Sequence, residues 1–240
     1  MTTRAVAEAL DQALARLMLD DATLAARLDR YAETLRELNQ PFAEAVDRLV
    51  SRLQSVTAGN EAPKVGEVMP PFLLPDENGH LLALEELLAK GPLVVAFRRG
   101  HWCPYCQLST EALARIQGPV ADSGGSIVVI CPENSAHARL LKWRSQAQFP
   151  ILSDMDNGYA LSLGIAIPVG EEMRDFMTRR GRNLATYQGN SAWLLPIPAT
   201  FVLDRSGVIV MRHVDPDYRV RASVEDIVSR IRALQPTQER

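Results

Sequence analysis

The chain has three cysteines, and two of them stand three residues apart in the stretch Arg98-Arg99-Gly100-His101-Trp102-Cys103-Pro104-Tyr105-Cys106. A thiol becomes a nucleophile only as its thiolate, so what surrounds the sulfur decides the chemistry. Here the surroundings favour charge. Arg98, Arg99 and His101 bring positive groups, and a helix starting at Cys103 adds free N–H groups and the positive end of its dipole. In such settings a cysteine pKa falls from about 8.5 into a range of roughly 3.5 to 7.5. Cys103, exposed by its place at the outer end of the helix, is the expected nucleophile, and Cys106 should be more enclosed. Cys106 lies one turn inward, within disulfide reach, so the pair is expected to cycle between dithiol and disulfide. Trp102, Pro104 and Tyr105 shape the turn that holds it.

Two plainer readings compete. A Cys-x-x-Cys turn is also half a zinc knuckle, but structural zinc takes four ligands. No second Cys-x-x-Cys and no paired histidines follow, since His80, His137 and His213 stand singly. The cysteines could also be ordinary buried thiols, which are common core residues. The adjacent arginines and the helix start argue against that. No metal and no cofactor are expected, because the sulfur atoms carry the electrons themselves.

The elements that must position this pair are legible around it. Leu93-Val94-Val95-Ala96-Phe97 is an unbroken apolar run and predicts a strand covered on both faces. Pro104 suits the first helical position, and Gly118-Pro119 is expected to end that helix. A second buried strand is predicted over 126–131, helices over 135–147 and 159–163, and a short strand over 149–152. Residues 171–182 read as a charged helical insertion. Strand residues 200–203 and 208–211 flank Asp204-Arg205-Ser206-Gly207 as a hairpin, and a last helix over 224–234 is capped by Ser223. The pattern is a mixed α/β sheet with helices on both faces.

Residues 1–58 differ in kind: they form an N-terminal helical extension before the domain at 59–240. Leu24, Leu28, Tyr31, Leu35 and Leu38 step by three and four. After Asn39-Gln40-Pro41 the same steps recur in Phe42, Val46, Leu49, Leu53 and Val56, with a weaker stripe of Val6, Leu10, Leu14 and Leu17 ahead. Such narrow seams suit a capping or homodimerising element, or a helical hairpin laid on its own domain. The sequence leaves these open.

Composition sets outer bounds. A 47% apolar fraction, 23% charged residues and a net charge of −3 over 240 residues describe an ordinary globular chain. They give no reason to expect nucleic acid or an anionic membrane as partner. No signal peptide or membrane span is read, so the expected location is the cytoplasm.

At this point the motifs resemble a known group. Trp102-Cys103-Pro104-Tyr105-Cys106 after a buried strand is similar to the active-site turn of the thioredoxin superfamily, in its glutaredoxin form. Pro198-Ala199-Thr200-Phe201 resembles the context of that superfamily's cis-proline, which implies a cis bond at Pro198. Val65-Gly66-Glu67-Val68-Met69-Pro70-Pro71-Phe72, Phe149-Pro150-Ile151-Leu152-Ser153-Asp154 and Asp204-Arg205-Ser206-Gly207-Val208 resemble segments of the alkyl hydroperoxide reductase and thiol-specific antioxidant group. The nearest pattern is a peroxiredoxin-like subgroup carrying Arg-Gly-x-Trp-Cys-Pro-Tyr-Cys. The resemblance spans roughly residues 63–235. It implies a thioredoxin-like fold and reduction of a hydroperoxide or disulfide substrate. Thioredoxin, glutaredoxin or a small thiol would then restore the dithiol. A redox sensor, whose disulfide state controls a partner surface on residues 1–58, is the alternative.

The departures sharpen the expectation. The peroxiredoxin pattern Pro-x-x-x-Thr-x-x-Cys falls on Arg99, Cys103 and Cys106, and its catalytic arginine falls on Pro198. This makes Cys106, not Cys103, the counterpart of the peroxide-attacking cysteine. With threonine and arginine both absent at their usual places, slow peroxidase activity is expected. Cys131 reads as a packed cysteine. Residues 215–221, Asp-Pro-Asp-Tyr-Arg-Val-Arg, resemble a segment of the same subgroup; no role is read from it, and the default is a solvated charged loop.

Overall fold

Leu93 to Phe97 have no exposed surface, and the fold is laid out around them. The computed structural model describes residues 3–235, so the outer ends of the two predicted regions, residues 1–2 and 236–240, lie outside the described residues. The chain begins with three helices, α1 (Thr3–Leu19), α2 (Leu24–Leu38) and α3 (Gln40–Ser55). A small hairpin, β1 (Leu73–Pro75) and β2 (Leu81–Ala83), leads through α4 (Leu84–Leu88) into β3 (Leu93–Phe97). Next come α5 (Pro104–Arg115), α6 (Gln117–Asp122), β4 (Ser126–Cys131), α7 (Ser135–Ser145), β5 (Ile151–Ser153) and α8 (Gly158–Ser162). An insertion follows, made of β6 (Ala166–Pro168), α9 (Glu171–Arg179), α10 (Leu184–Gln188) and β7 (Leu194–Pro196). The chain closes with β8 (Ala199–Leu203), β9 (Ile209–Val214) and α11 (Val224–Ala233).

The central sheet runs β5-β4-β3-β8-β9. β3, β4 and β5 are parallel, while β8 is antiparallel to β3 and β9 to β8. This is the predicted mixed sheet, covered on both sides. Phe97, Val128, Phe201 and Tyr159 fill one face. Val94, Val129, Leu141 and Ile231 fill the other, under α5, α7 and α11. Covering both faces explains why the central strands read as apolar runs rather than alternating patterns.

Three details differ from expectation. The cysteine helix does end just before Gly118-Pro119, at Arg115, but the chain turns helical again at once: α6 holds both residues, because a proline in the first turn gives up an N–H with no helical partner anyway. The hairpin β6–β7 and α10 went unread, being three to five residues long with prolines at strand ends. No cis peptide occurs among the described residues, so the bond preceding Pro198 is trans. That corrects the cis expectation; trans is the intrinsic preference of an X–Pro bond, by about 0.5–1 kcal/mol.

The N-terminal helices pack on their own chain. Asn39 ends α2 and caps α3, its side chain accepting the Phe42 N–H at 3.3 Å. Leu10, Leu14 and Leu17 of α1, Leu28, Tyr31 and Leu35 of α2, and Phe42, Val46, Leu49 and Leu53 of α3 share one core with Trp102, Cys103, Tyr105 and Cys106. Each such side chain, fully buried, contributes about 1.5–3 kcal/mol before entropy is charged against it. Val56, predicted on the seam, is 65% exposed, because the helix has ended before it. The buried Arg27 fastens α2 to α5, donating to Glu111 at 2.7 Å and to the Leu17 carbonyl at 3.2 Å.

Candidate active site

The cysteine turn hangs from the carboxyl end of β3, where its parallel neighbour β4 lies on one side and antiparallel β8 on the other. Open α/β sheets form their crevices at such strand ends. Arg98 extends the ladder by one bond, its N–H donating to the Ile130 carbonyl at 2.8 Å. Gly100 then takes a positive φ of 137°. A Cβ there would sit 2.5 Å from the Glu133 carboxyl carbon, so only glycine fits. Glu133, with a fully buried side chain, accepts the His101 N–H at 2.7 Å and meets His101 Nδ1 at 2.7 Å. Burial pushes the Glu133 carboxyl up, and His101 opposes that shift. The His101 ring stacks on His137 at 4.8 Å, and both meet Tyr187. Glu133 and His101 thus clamp the turn from below.

Cys103 is the N-cap of α5, with its carbonyl accepting the Cys106 and Gln107 N–H groups at 3.0 Å each, and Pro104 opens the helix. The local prediction therefore holds. The predicted exposure of Cys103 does not: it is 2% exposed and Cys106 0%. Both sulfurs lie beneath the N-terminal helices, with Tyr31 meeting Tyr105 edge-on at 5.3 Å.

The two thiols are not equivalent. Cys106 Sγ accepts the Arg99 backbone N–H at 3.3 Å and an N–H of the Arg221 guanidinium at 3.7 Å. Burial alone would push its pKa up, but the hydrogen bond from Cys103 and the charges of Arg221, Arg98 and Arg99 hold it well below the ordinary thiol range. Cys103 goes the other way: burial, then its hydrogen bond and the charge on Cys106, push it well above that range. The negative charge that sequence reading placed on Cys103 is best held one turn inward.

The remaining predicted residues form the walls. Arg98 is buried and donates to the Phe97 carbonyl at 2.9 Å. The Arg99 guanidinium lies 3.9 Å from the centre of the Tyr218 ring and 5.2 Å from that of Trp102. Tyr105 also meets Tyr218, at 5.4 Å. Pro198 borders a separate cleft with Arg99 and Tyr218 that neither sulfur lines.

Arg221 and Tyr218 were missed, and residues 215–221 are not a free solvated loop. Tyr218 is 7% exposed, and Arg219 ties the segment to α3 through Asp47 at 2.8 Å. The available signal was a tyrosine set among alternating acids and arginines, but only the fold brings Arg221 to a sulfur 115 residues away. Cys131 is buried in the core between the sheet and α5, α7 and α11, its thiol pushed up by burial.

With this geometry in place, the relatives can be set beside it. The AhpC/TSA family model matches residues 65–212. The chain belongs to that family and is a peroxiredoxin-like thiol oxidoreductase of the thioredoxin superfamily. It is 23% identical over 168 residues to the protein named "Putative peroxiredoxin bcp" of Coxiella burnetii, covering 70% of this chain and 98% of that one. Among solved structures it is similar to Peroxidoxin BcpB from Mycobacterium tuberculosis, with a TM-score of 0.56, 20% identity and coverage of 72% of this chain and 99% of that one. It is also similar to Peroxiredoxin 6 of Arenicola marina, with a TM-score of 0.58, 17% identity and coverage of 74% and 76%. These similarities show the thioredoxin-like fold. No helix among the described residues is long and apolar enough to cross a membrane.

Proposed function

We propose that the protein reduces hydroperoxides with Cys106 as the attacking thiolate and Cys103 as the resolving thiol. The observation that carries this reading is the set of donors on Cys106: the Arg99 N–H, the Arg221 guanidinium and the Cys103 thiol. Cys106 attacks the outer peroxide oxygen. The O–O bond breaks, Cys106 becomes a sulfenic acid, and the alkoxide leaves with a proton from Cys103. The Cys103 thiolate then attacks the Cys106 sulfur and expels hydroxide, which solvent protonates. The products are one disulfide, one alcohol and one water. Arg221 stands in for the arginine absent at Pro198, and Cys103 for the absent threonine. A donor aimed at developing negative charge is worth about 2.7–4 kcal/mol, so peroxidase activity should exceed what those two absences suggest.

A dithiol protein such as thioredoxin or glutaredoxin, or two equivalents of a small thiol, returns the two electrons. The deep burial of both sulfurs also supports a sensing role, in which oxidation loosens the helices above them. Steady turnover of hydrogen peroxide with a thiol reductant, lost in Cys106→Ser, is the expected result. A change of oligomeric state on oxidation without turnover would favour the sensor.

A further inference from the structure

A disulfide between two buried sulfurs can be reopened only where a reductant reaches one of them. In thiol–disulfide exchange a thiolate attacks one sulfur in line with the bond it breaks, and the sulfur behind leaves. Access and leaving ability therefore decide which sulfur is attacked. A narrow cleft between α2, α3 and the insertion reaches Cys103, which lines it with Leu35, Phe42, Met173 and Met177; Cys106 does not line it. Cys106 lies one helical turn behind, fully enclosed, with the Arg99 N–H 3.3 Å and the Arg221 guanidinium 3.7 Å from its sulfur. Those donors receive charge as the S–S bond breaks. A sulfur held well below the ordinary thiol range also leaves faster than one held above it. The cleft is small as well. Its volume of about 30 Å³ holds about two waters, at roughly 10–15 Å³ each. That is the room taken by the carbon and sulfur at the tip of an unbranched thiol. A thiol carried on the backbone of a folded protein is wider than this, and Cys103 itself is only 2% exposed.

We infer that the disulfide is opened at Cys103 by a slender small-molecule thiol entering this cleft, with Cys106 as the leaving sulfur. The inference deepens the peroxidase reading and rests on it for how the disulfide arises. The incoming thiolate bonds to the Cys103 sulfur, the Cys103–Cys106 bond breaks, and its electron pair stays on Cys106. A second thiolate then attacks the small thiol's sulfur in the mixed disulfide. It releases a small-molecule disulfide and the Cys103 thiolate, which takes a proton from solvent. Two thiols thus supply the two electrons. Arg182, also on the cleft wall, favours the approach of a thiolate, and the apolar residues accept its carbon. The helical cover gains a role here: it selects the reductant by width.

The test prepares the disulfide with diamide, so that it does not depend on peroxide turnover. The oxidised full chain is mixed with mercaptoethanol, quenched in acid within the first turnover and mapped by peptide mass spectrometry. The mercaptoethanol adduct should sit on Cys103, with Cys106 free. An adduct on Cys106, or a diamide product that does not join Cys103 to Cys106, overturns the inference. Reduced thioredoxin at equal thiol concentration should open the disulfide no faster than mercaptoethanol; a faster rate overturns the choice of a small thiol. Met177→Ala widens the cleft and should raise the mercaptoethanol rate several-fold, whereas Met69→Ala, as deeply buried in the sheet core, should leave it unchanged. Equal acceleration in both variants would mean general loosening and overturn passage through the cleft. Hydroperoxide left unconsumed, with the adduct still on Cys103, would count against the peroxidase reading and leave this inference standing.

Discussion

The span matching the family, residues 65–212, and the segments outside it contribute different things to the same two sulfurs. The matched span supplies the scaffold: a buried strand, a glycine turn clamped by Glu133, and a helix start that sets Cys103 and Cys106 one turn apart. The outer segments supply the environment. Helices α1–α3 bury the pair, and residues 215–221 return from beyond β9 to place Arg221 on Cys106 and Tyr218 on Arg99. A shared scaffold thus leaves open which sulfur holds charge. Here Arg221, from outside the matched span, adds its charge on Cys106 to those of Arg98 and Arg99 and to the Cys103 hydrogen bond within it.

Breaking the scaffold should have the largest effect. Cys106→Ser should reduce peroxide consumption to background, whereas Cys103→Ser should still be oxidised once and accumulate a sulfenic acid that dimedone labels; retained single-turnover oxidation in Cys106→Ser would reverse the assignment. Removing the outer charge comes next. Arg221→Met should lower kcat/KM for hydrogen peroxide by about a hundredfold, the usual loss when one such donor is removed, and should slow alkylation of Cys106 at neutral pH. An unchanged rate would mean that residues 215–221 only pack. Loosening the cover should act on stability before chemistry. Arg27→Met leaves Glu111 with Arg115 as its remaining cation, and should cost roughly 3 kcal/mol by urea unfolding while speeding alkylation of both thiols. The smallest effect is expected at Cys131→Ser, which is packed in the core and, among the described residues, has no hydrogen bond to either of the other two thiols. It should cost about 1–2 kcal/mol of stability with turnover nearly intact, and a collapse of turnover in a folded variant would make it a participant.

Much of this was legible in local pattern. The run 93–97, Pro104 at the helix start, the hairpin around Asp204-Arg205-Ser206-Gly207 and the Ser223 cap are set by residues within a few positions of one another, and all appear as read. Helices α1–α3 were also readable as apolar stripes, though not which surface the stripes would meet. What stayed hidden depends on distance along the chain. Exposure of Cys103 follows from its place at a helix end, but that end is covered by α1–α3, from a distant part of the chain. The segment 215–221 was visible as a motif, but the role of Arg221 was not, because its contact with Cys106 spans 115 residues; Pro198 suggested a cis bond that the described backbone does not have.

The central claim is that Cys106, and not Cys103, carries the thiolate. It is tested most directly by following absorbance near 240 nm against pH in Cys103→Ser/Cys131→Ser, which keeps a hydroxyl donor beside Cys106, and in Cys106→Ser/Cys131→Ser. A depressed pKa means that the thiolate persists as pH falls below the ordinary thiol value of about 8.5 and is lost only as pH passes through the folded value; a raised pKa means that it forms only above the ordinary value. The account predicts the first behaviour for Cys106 and the second for Cys103. A Cys103 that ionises below the ordinary range while Cys106 remains a thiol would contradict it.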